Sequence, residues 1–158
     1  MALRQIRYVG DAVLTKVCRE VTEVTPKIRD LIDDMFETMY AEDGVGLAAV
    51  QVGVLRRIIV IDISKDKSQK MCLINPEITF AEGEQCTSEG CLSVPEISGK
   101  VVRPEHVIVK AKDKDLKDVE IDAHGLLAKC LCHEIDHLDG VVFTDIMIEE
   151  DTEDGRDR

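Results

Sequence analysis

His133-Glu134-Ile135-Asp136-His137 decides how this chain folds, because it fixes a helix that has to be buried. Two histidines four residues apart stand about one turn apart on one helix face, with a glutamate beside the first. Neutral imidazoles suit a divalent cation, and the glutamate can move a proton for a water held there. Around the pentad, Asp122 to Leu138 reads as one long helix, closed by Gly140 just past its end. His133 and His137 share a face with Leu126 and Cys130, next to an apolar stripe of Leu127, Leu131, Ile135 and Leu138. Lys129, Cys132, Asp136 and Asp139 take the remaining side. So broad an inward surface predicts a mostly buried helix. Buried imidazoles without partners would cost roughly 1–3 kcal/mol per polar group, and a cation would satisfy both.

Working outward, Thr25-Pro26 opens an earlier helix, with Thr as N-cap and Pro in the first turn. Ile28, Leu31, Ile32, Met35, Phe36 and Met39 recur at helical spacing and leave Lys27, Arg29, Asp30, Asp33 and Asp34 for solvent. The helix ends near Glu42-Asp43-Gly44. Strands are predicted over 57–63, 71–74, 78–82, 101–111 and 118–122, with a tight turn at 112–115 joining the last two. This order gives an α+β fold in which antiparallel strands pack around a central helix carrying the His-Glu-x-x-His motif. Residues 1–148 form a single catalytic domain, and 149–158 form an acidic, apolar-free tail expected to be solvated.

With 158 residues, the chain has room for one core and not for two. Aromatics make up 3%, without Trp, so Val, Ile, Leu and Met must build that core. A net charge of −12 argues against a surface that tracks phosphates, so direct nucleic-acid binding is not expected. The first residues carry no apolar leader and no apolar run approaches a membrane span, which predicts a cytoplasmic protein without a membrane partner. In that compartment Cys18, Cys72, Cys86, Cys91, Cys130 and Cys132 are expected as free thiols.

Spacing does not fix the third ligand. Cys130 lies a full turn before His133, too far along the stripe for bonds near 2 Å, and Cys132 points away. Glu149 or Glu150 would have to reach in from the tail. Cys18, Cys72, Cys86 and Cys91 stay open. Two more stretches stand out. Gly44-Val45-Gly46-Leu47-Ala48-Ala49-Val50-Gln51 imitates a dinucleotide fingerprint but follows a helix where a strand is required. It reads either as a flexible turn or as backbone that lies close to a bound peptide. Glu89-Gly90-Cys91-Leu92-Ser93-Val94-Pro95 holds a thiol that is as readily inert as ligating.

Together, Gly44 to Gln51, Glu89 to Ser93 and His133 to His137 resemble the three signatures of the peptide deformylase family, in the family's order and over nearly the whole chain before the tail. The resemblance implies an α+β fold and hydrolysis of the formyl group from the N-terminal methionine of new polypeptides, releasing formate. It implies Cys91, His133 and His137 as ligands of one divalent cation, with Fe2+ the usual occupant and Zn2+, Ni2+ or Co2+ able to replace it. It implies Glu134 as proton carrier, with Gln51 and the Leu92 backbone N–H holding the oxyanion. Substrate backbone would pair at Gly46 and Gly90, with Val45 and Ile135 at the methionine side chain. The chain departs from the family at Cys132, where Gln is usual, and at Ala12, where Pro is usual. Transient proximity to the ribosome follows from the substrate. The family's basic C-terminal helix has no counterpart in this acidic tail.

Residues alone leave two rivals: a zinc endopeptidase with a different third ligand, and a silent domain with a structural metal. Arg103 reads most simply as a solvated surface arginine, and otherwise as a partner of Glu89 or a contact for the substrate. His106 and His124 read as structural or exposed, with no ligand set near them.

Overall fold

The computed structural model describes residues 2–151. Its elements are α1 (Pro26–Ala41), β1 (Gly46–Ala48), β2 (Ile58–Ile61), β3 (Met71–Glu82), β4 (Gln85–Cys91), β5 (Val94–Arg103), β6 (His106–Lys112), β7 (Asp118–His124), α2 (Gly125–Leu138) and β8 (Glu149–Glu150). Two antiparallel sheets result, one ordered β1-β2-β3-β6-β7 and the other β4-β5-β8.

The four residues Ile58-Ile59-Val60-Ile61 show why the sheet lies between two helices. Successive side chains point to opposite faces, so an all-apolar strand needs cover on both. Ile59 and Ile61 join Leu131, Cys132, Ile135 and Leu138 of α2, while Ile58 and Val60 join Leu31, Ile32, Met35 and Met39 of α1. A third, smaller cluster of Val94, Val101, Val142 and Phe143 fills the second sheet. No described helix is long and apolar enough to cross a membrane.

Helix α1 follows its sequence reading: the Thr25 hydroxyl accepts from the Ile28 N–H at 3.3 Å, and Pro26 sits in the first turn. Asp34, assigned to solvent, is instead buried, where it accepts from the Ala2 N–H at 2.6 Å and pairs with Arg4 at 2.9 Å. The N-terminal segment lies over that part of α1. Residues 71–74 and 78–82 prove to be one strand. Pro76 has no N–H for the ladder, and the register shifts between Ile74 and Glu77 absorb it as a bulge. Pro104 has the opposite effect: the run 101–111 is divided between β5 and β6, which belong to different sheets.

Helix α2 begins at Gly125, three residues later than the sequence suggested, because β7 holds its pairing with β6 through His124. The turn at 112–115 does lead from β6 into β7. At the other end, Glu149 and Glu150 are not a free tail but pair with Lys100 and Gly99 as β8. The rest of the acidic segment, 152–158, lies outside the described residues.

Candidate active site

Three elements deliver the site. Strand β4 carries Glu89 and ends on Cys91, and its register against β5 slips between those two residues. Strand β1 and the 3-10 turn after it carry Gly46 and Gln51. Helix α2 presents His133, Glu134 and His137, all buried. The Cys91 Sγ lies 3.3 Å from the His137 Nε2, and the two imidazoles are 5.1 Å apart and tilted by 74°. One donor atom from each of Cys91, His133 and His137 lies within 4.8 Å of the other two. Cys18, Cys72 and Cys86 are not part of that group. Cys132 turns into the core cluster and away from it, as the helical wheel implied.

The residues behind the cluster orient it. The His133 Nδ1 is 2.8 Å from the Glu89 Oε1, so with its N–H donating there the Nε2 lone pair is free for a cation. Arg103 donates to both Glu89 oxygens at 2.9 Å and to the Asp136 Oδ2 at 2.6 Å. Arg103 is thus buried and doubly paired, not solvated. Burial pushes Glu89 up, but the hydrogen bonds from His133 and Arg103 and the charge of Arg103 outweigh it and hold the carboxyl at about 2. Burial pushes His133 down, but the Glu134 charge and its contacts with Cys91 and Glu89 win and raise it to about 10. His137, buried beside His133 and Arg103, falls to about 3. The site therefore welcomes one positive charge. A divalent cation bound there would have to displace the His133 proton.

Glu134 stands at the edge of the cluster, its Oε2 4.0 Å from the His133 Nε2 and its Oε1 buried with no protein partner. Burial raises its carboxyl to about 7 against the opposing charge of His133. A Cβ placed on Gly46 would meet the Glu134 Oε2 at 2.6 Å, so only glycine lets β1 approach this carboxylate. The Gln51 side chain is fixed at both ends. Its Oε1 accepts from the Ala48 N–H at 2.9 Å, and its Nε2 donates to the Ser93 Oγ at 3.0 Å and the Cys91 Sγ at 3.4 Å. The Ser93 N–H also points at that sulfur, at 3.4 Å.

A cleft of about 500 Å³ opens onto the cluster, with Val45, Gly46, Gly90, Leu92 and Glu134 among its lining. Leu126 and Cys130 also line it. Ile135 does not: it is buried in the core with Leu131 and Leu138, on the stripe the sequence itself assigned to packing. Sequence reasoning missed Asp136 and Ser93. Asp136 was legible only as an acid near Arg103 in space, which spacing along the chain does not reveal.

A thiol and two imidazoles converging beside a buried carboxylate, on an α+β scaffold with an open cleft, define a hydrolase of the metal-dependent class. A family model for polypeptide deformylases matches residues 3–153, and the chain belongs to that family. It is an enzyme, a hydrolase of N-formyl groups. The peptide deformylase of Agathobacter rectalis is 57% identical over 145 residues, covering 92% of this chain and 90% of that relative. That of Acetivibrio thermocellus is 50% identical over 158 residues, covering 100% and 91%. The crystal structure of a peptide deformylase from Legionella pneumophila superposes with a TM-score of 0.90 at 48% identity, covering 92% of this chain and 86% of that one. A peptide deformylase from Ehrlichia chaffeensis in complex with actinonin gives 0.89 at 42% identity, covering 93% and 90%.

Proposed function

We propose that this chain removes the formyl group from the N-terminal formyl-methionine of new polypeptides, with Cys91, His133 and His137 holding one divalent cation and Glu134 carrying the proton. The observation that bears most weight is the convergence of the Cys91, His133 and His137 donors within 4.8 Å of one another beside the buried Glu134 carboxylate. The donor set fits a cation: its atoms lie within 4.8 Å of one another and Glu89 secures the outer nitrogen of His133. Ferrous iron is the proposed occupant, and zinc, nickel or cobalt suit the same mixed sulfur and nitrogen ligands. When bound, the cation supplies Lewis-acid polarisation of the formyl carbonyl and makes water acidic enough to attack near neutrality.

Each remaining task belongs to a named group. Glu134 takes the proton of the attacking water and returns it to the departing amine, and a carboxyl poised near neutrality suits both transfers. The Gln51 amide and the Leu92 backbone N–H stabilise the charge that develops on the formyl oxygen. The substrate lies extended between β1 and β4, each an outermost strand of its sheet, with backbone pairing at Gly46 and Gly90. Val45, Leu126 and Cys130 provide apolar surface for the methionine side chain. Such a substrate places the enzyme in the cytoplasm, transiently near the ribosome.

The test is formate release from a formyl-methionyl peptide by protein loaded with ferrous iron in the absence of oxygen. Glu134→Ala should keep its metal and lose turnover by about 10²–10⁴-fold. Fully loaded wild-type protein that releases no formate would refute the activity. A Glu134→Ala variant that turns over normally would refute the proton carrier.

A further inference from the structure

Away from the cleft, β6 and β7 bring a second group of donors together. Pairing sets His106 directly opposite His124 and Ile108 opposite Asp122, so all three polar side chains project from one face of the hairpin. The two imidazoles stack at 4.0 Å with an interplanar angle of 13°. The His106 Nε2 lies 2.7 Å from the Asp122 Oδ1, and the His124 Nε2 lies 3.5 Å from the same oxygen. His106, Asp122 and His124 each offer one donor atom within 4.8 Å of the others. The finding corrects the expectation that no ligand set surrounds these histidines.

Two observations set this group apart from a loose surface cluster. First, the His124 Nδ1 is 3.2 Å from the Glu105 Oε1, while Glu105 Oε2 accepts from the Gly125 N–H at 3.1 Å. A carboxylate anchored to backbone thus holds the outer nitrogen and directs the Nε2 lone pair inward, as partners of metal-bound histidines do. Second, Phe80 stands edge-on to the His106 ring at 5.2 Å and restrains it from behind. The two rings lie in nearly parallel planes, so an ion shared by both Nε2 atoms requires the exposed His124 ring to tilt toward the plane of His106.

We propose that His106, Asp122 and His124 form a second cation site, separate from the catalytic one, which takes a borderline divalent transition ion such as Zn2+ or Ni2+. Two imidazoles and a carboxylate are the donor types such ions prefer, and solvent completes the coordination because Asp122 and His124 are exposed. His124 immediately precedes α2, and His133 lies about 13 Å further along that helix at 1.5 Å per residue. The two sites cannot share one ion. A cation here ties the entry of α2 to the β6–β7 hairpin.

Nickel-loaded enzyme brought to equilibrium by dialysis with micromolar Zn2+ tests this, with nickel plus zinc counted per chain. The wild type should hold two ions. Asp122→Asn and His124→Gln, made separately, should each hold one, with formate release unchanged. Because the sum of both metals is read, zinc that enters the catalytic ligands by displacing nickel does not alter the count. A wild type that holds one ion, or variants that still hold two, would overturn the second site.

Discussion

Gly46 owes its identity to one atom of another residue. A methyl group there would sit 2.6 Å from the Glu134 Oε2, the oxygen on the His133 side. Gly46→Ala should therefore fold and bind metal while kcat/KM falls by about tenfold or more, since a displaced carboxylate no longer meets the proton it moves. Normal kcat/KM in that variant would contradict the crowding. Glu89 answers to two partners, His133 and Arg103. Glu89→Gln leaves Arg103 ion-paired with Asp136 alone, and its one amide oxygen cannot serve both Arg103 and His133 as the carboxylate does, so metal affinity should drop about 10–100-fold, measured by competition with a chelator. Unfolding in urea should show a stability loss of about 3 kcal/mol for the broken buried pair. Unchanged affinity would mean that His133 is oriented by something else.

At the scale of elements, the end of α2 is set by Gly140, which has φ of +80°. A Cβ there would lie 2.5 Å from the Thr15 carbonyl oxygen, where the N-terminal segment crosses the helix end and the Cys18 N–H donates to the Leu138 carbonyl at 2.8 Å. Gly140→Ala should cost about 2 kcal/mol or more, read from the urea midpoint, because the left-handed backbone and the contact both resist a side chain. A midpoint within error of wild type would show that the crossing gives way. Gly140 was legible in the sequence as a helix stop. So were both helices and most of β2, because their apolar spacing is local. Strands β1, β4 and β8 were not. Gly46–Ala48 is held by β2 and covered by both helices, and Glu149–Glu150 is a strand only because β5 offers it an edge. In the same way the pentad His133–His137 announced the chemistry, but the third donor came from a family resemblance. No spacing within one helix records that Cys91 ends a strand 3.3 Å from His137.

Across the whole molecule, the acids give stability a direction with pH. Burial pushes Asp34 and Asp62 up, yet the hydrogen bonds from Ala2 and Arg4 to the first, and from Ser64 and Tyr40 to the second, leave both below the ordinary range. Glu89 moves from 4.5 to about 2. Each binds its proton less readily folded than unfolded, so the unfolded chain takes up more protons as the solution is acidified. The Glu89 contribution is complete above about 4.5 and disappears as pH falls toward about 2, and those of Asp34 and Asp62 are lost in the same direction. Thermal unfolding should thus shift to lower temperature once pH drops below about 4.5, and Glu89→Gln should flatten that slope. An unfolding temperature that holds steady from pH 6 down to about 3 would rule the linkage out.

The pairing of Glu149 and Glu150 with Gly99 and Lys100 gives the last described residues a protective duty. The Ile148 and Asp151 N–H groups extend it by donating to the Lys100 and Ser98 carbonyls at 2.8 and 2.9 Å. Cut away at residue 148, the chain would leave the far margin of β5 bare, an invitation for a second molecule to add a strand of its own. Two acidic residues thereby cover an edge that the ten residues of β5 would otherwise offer.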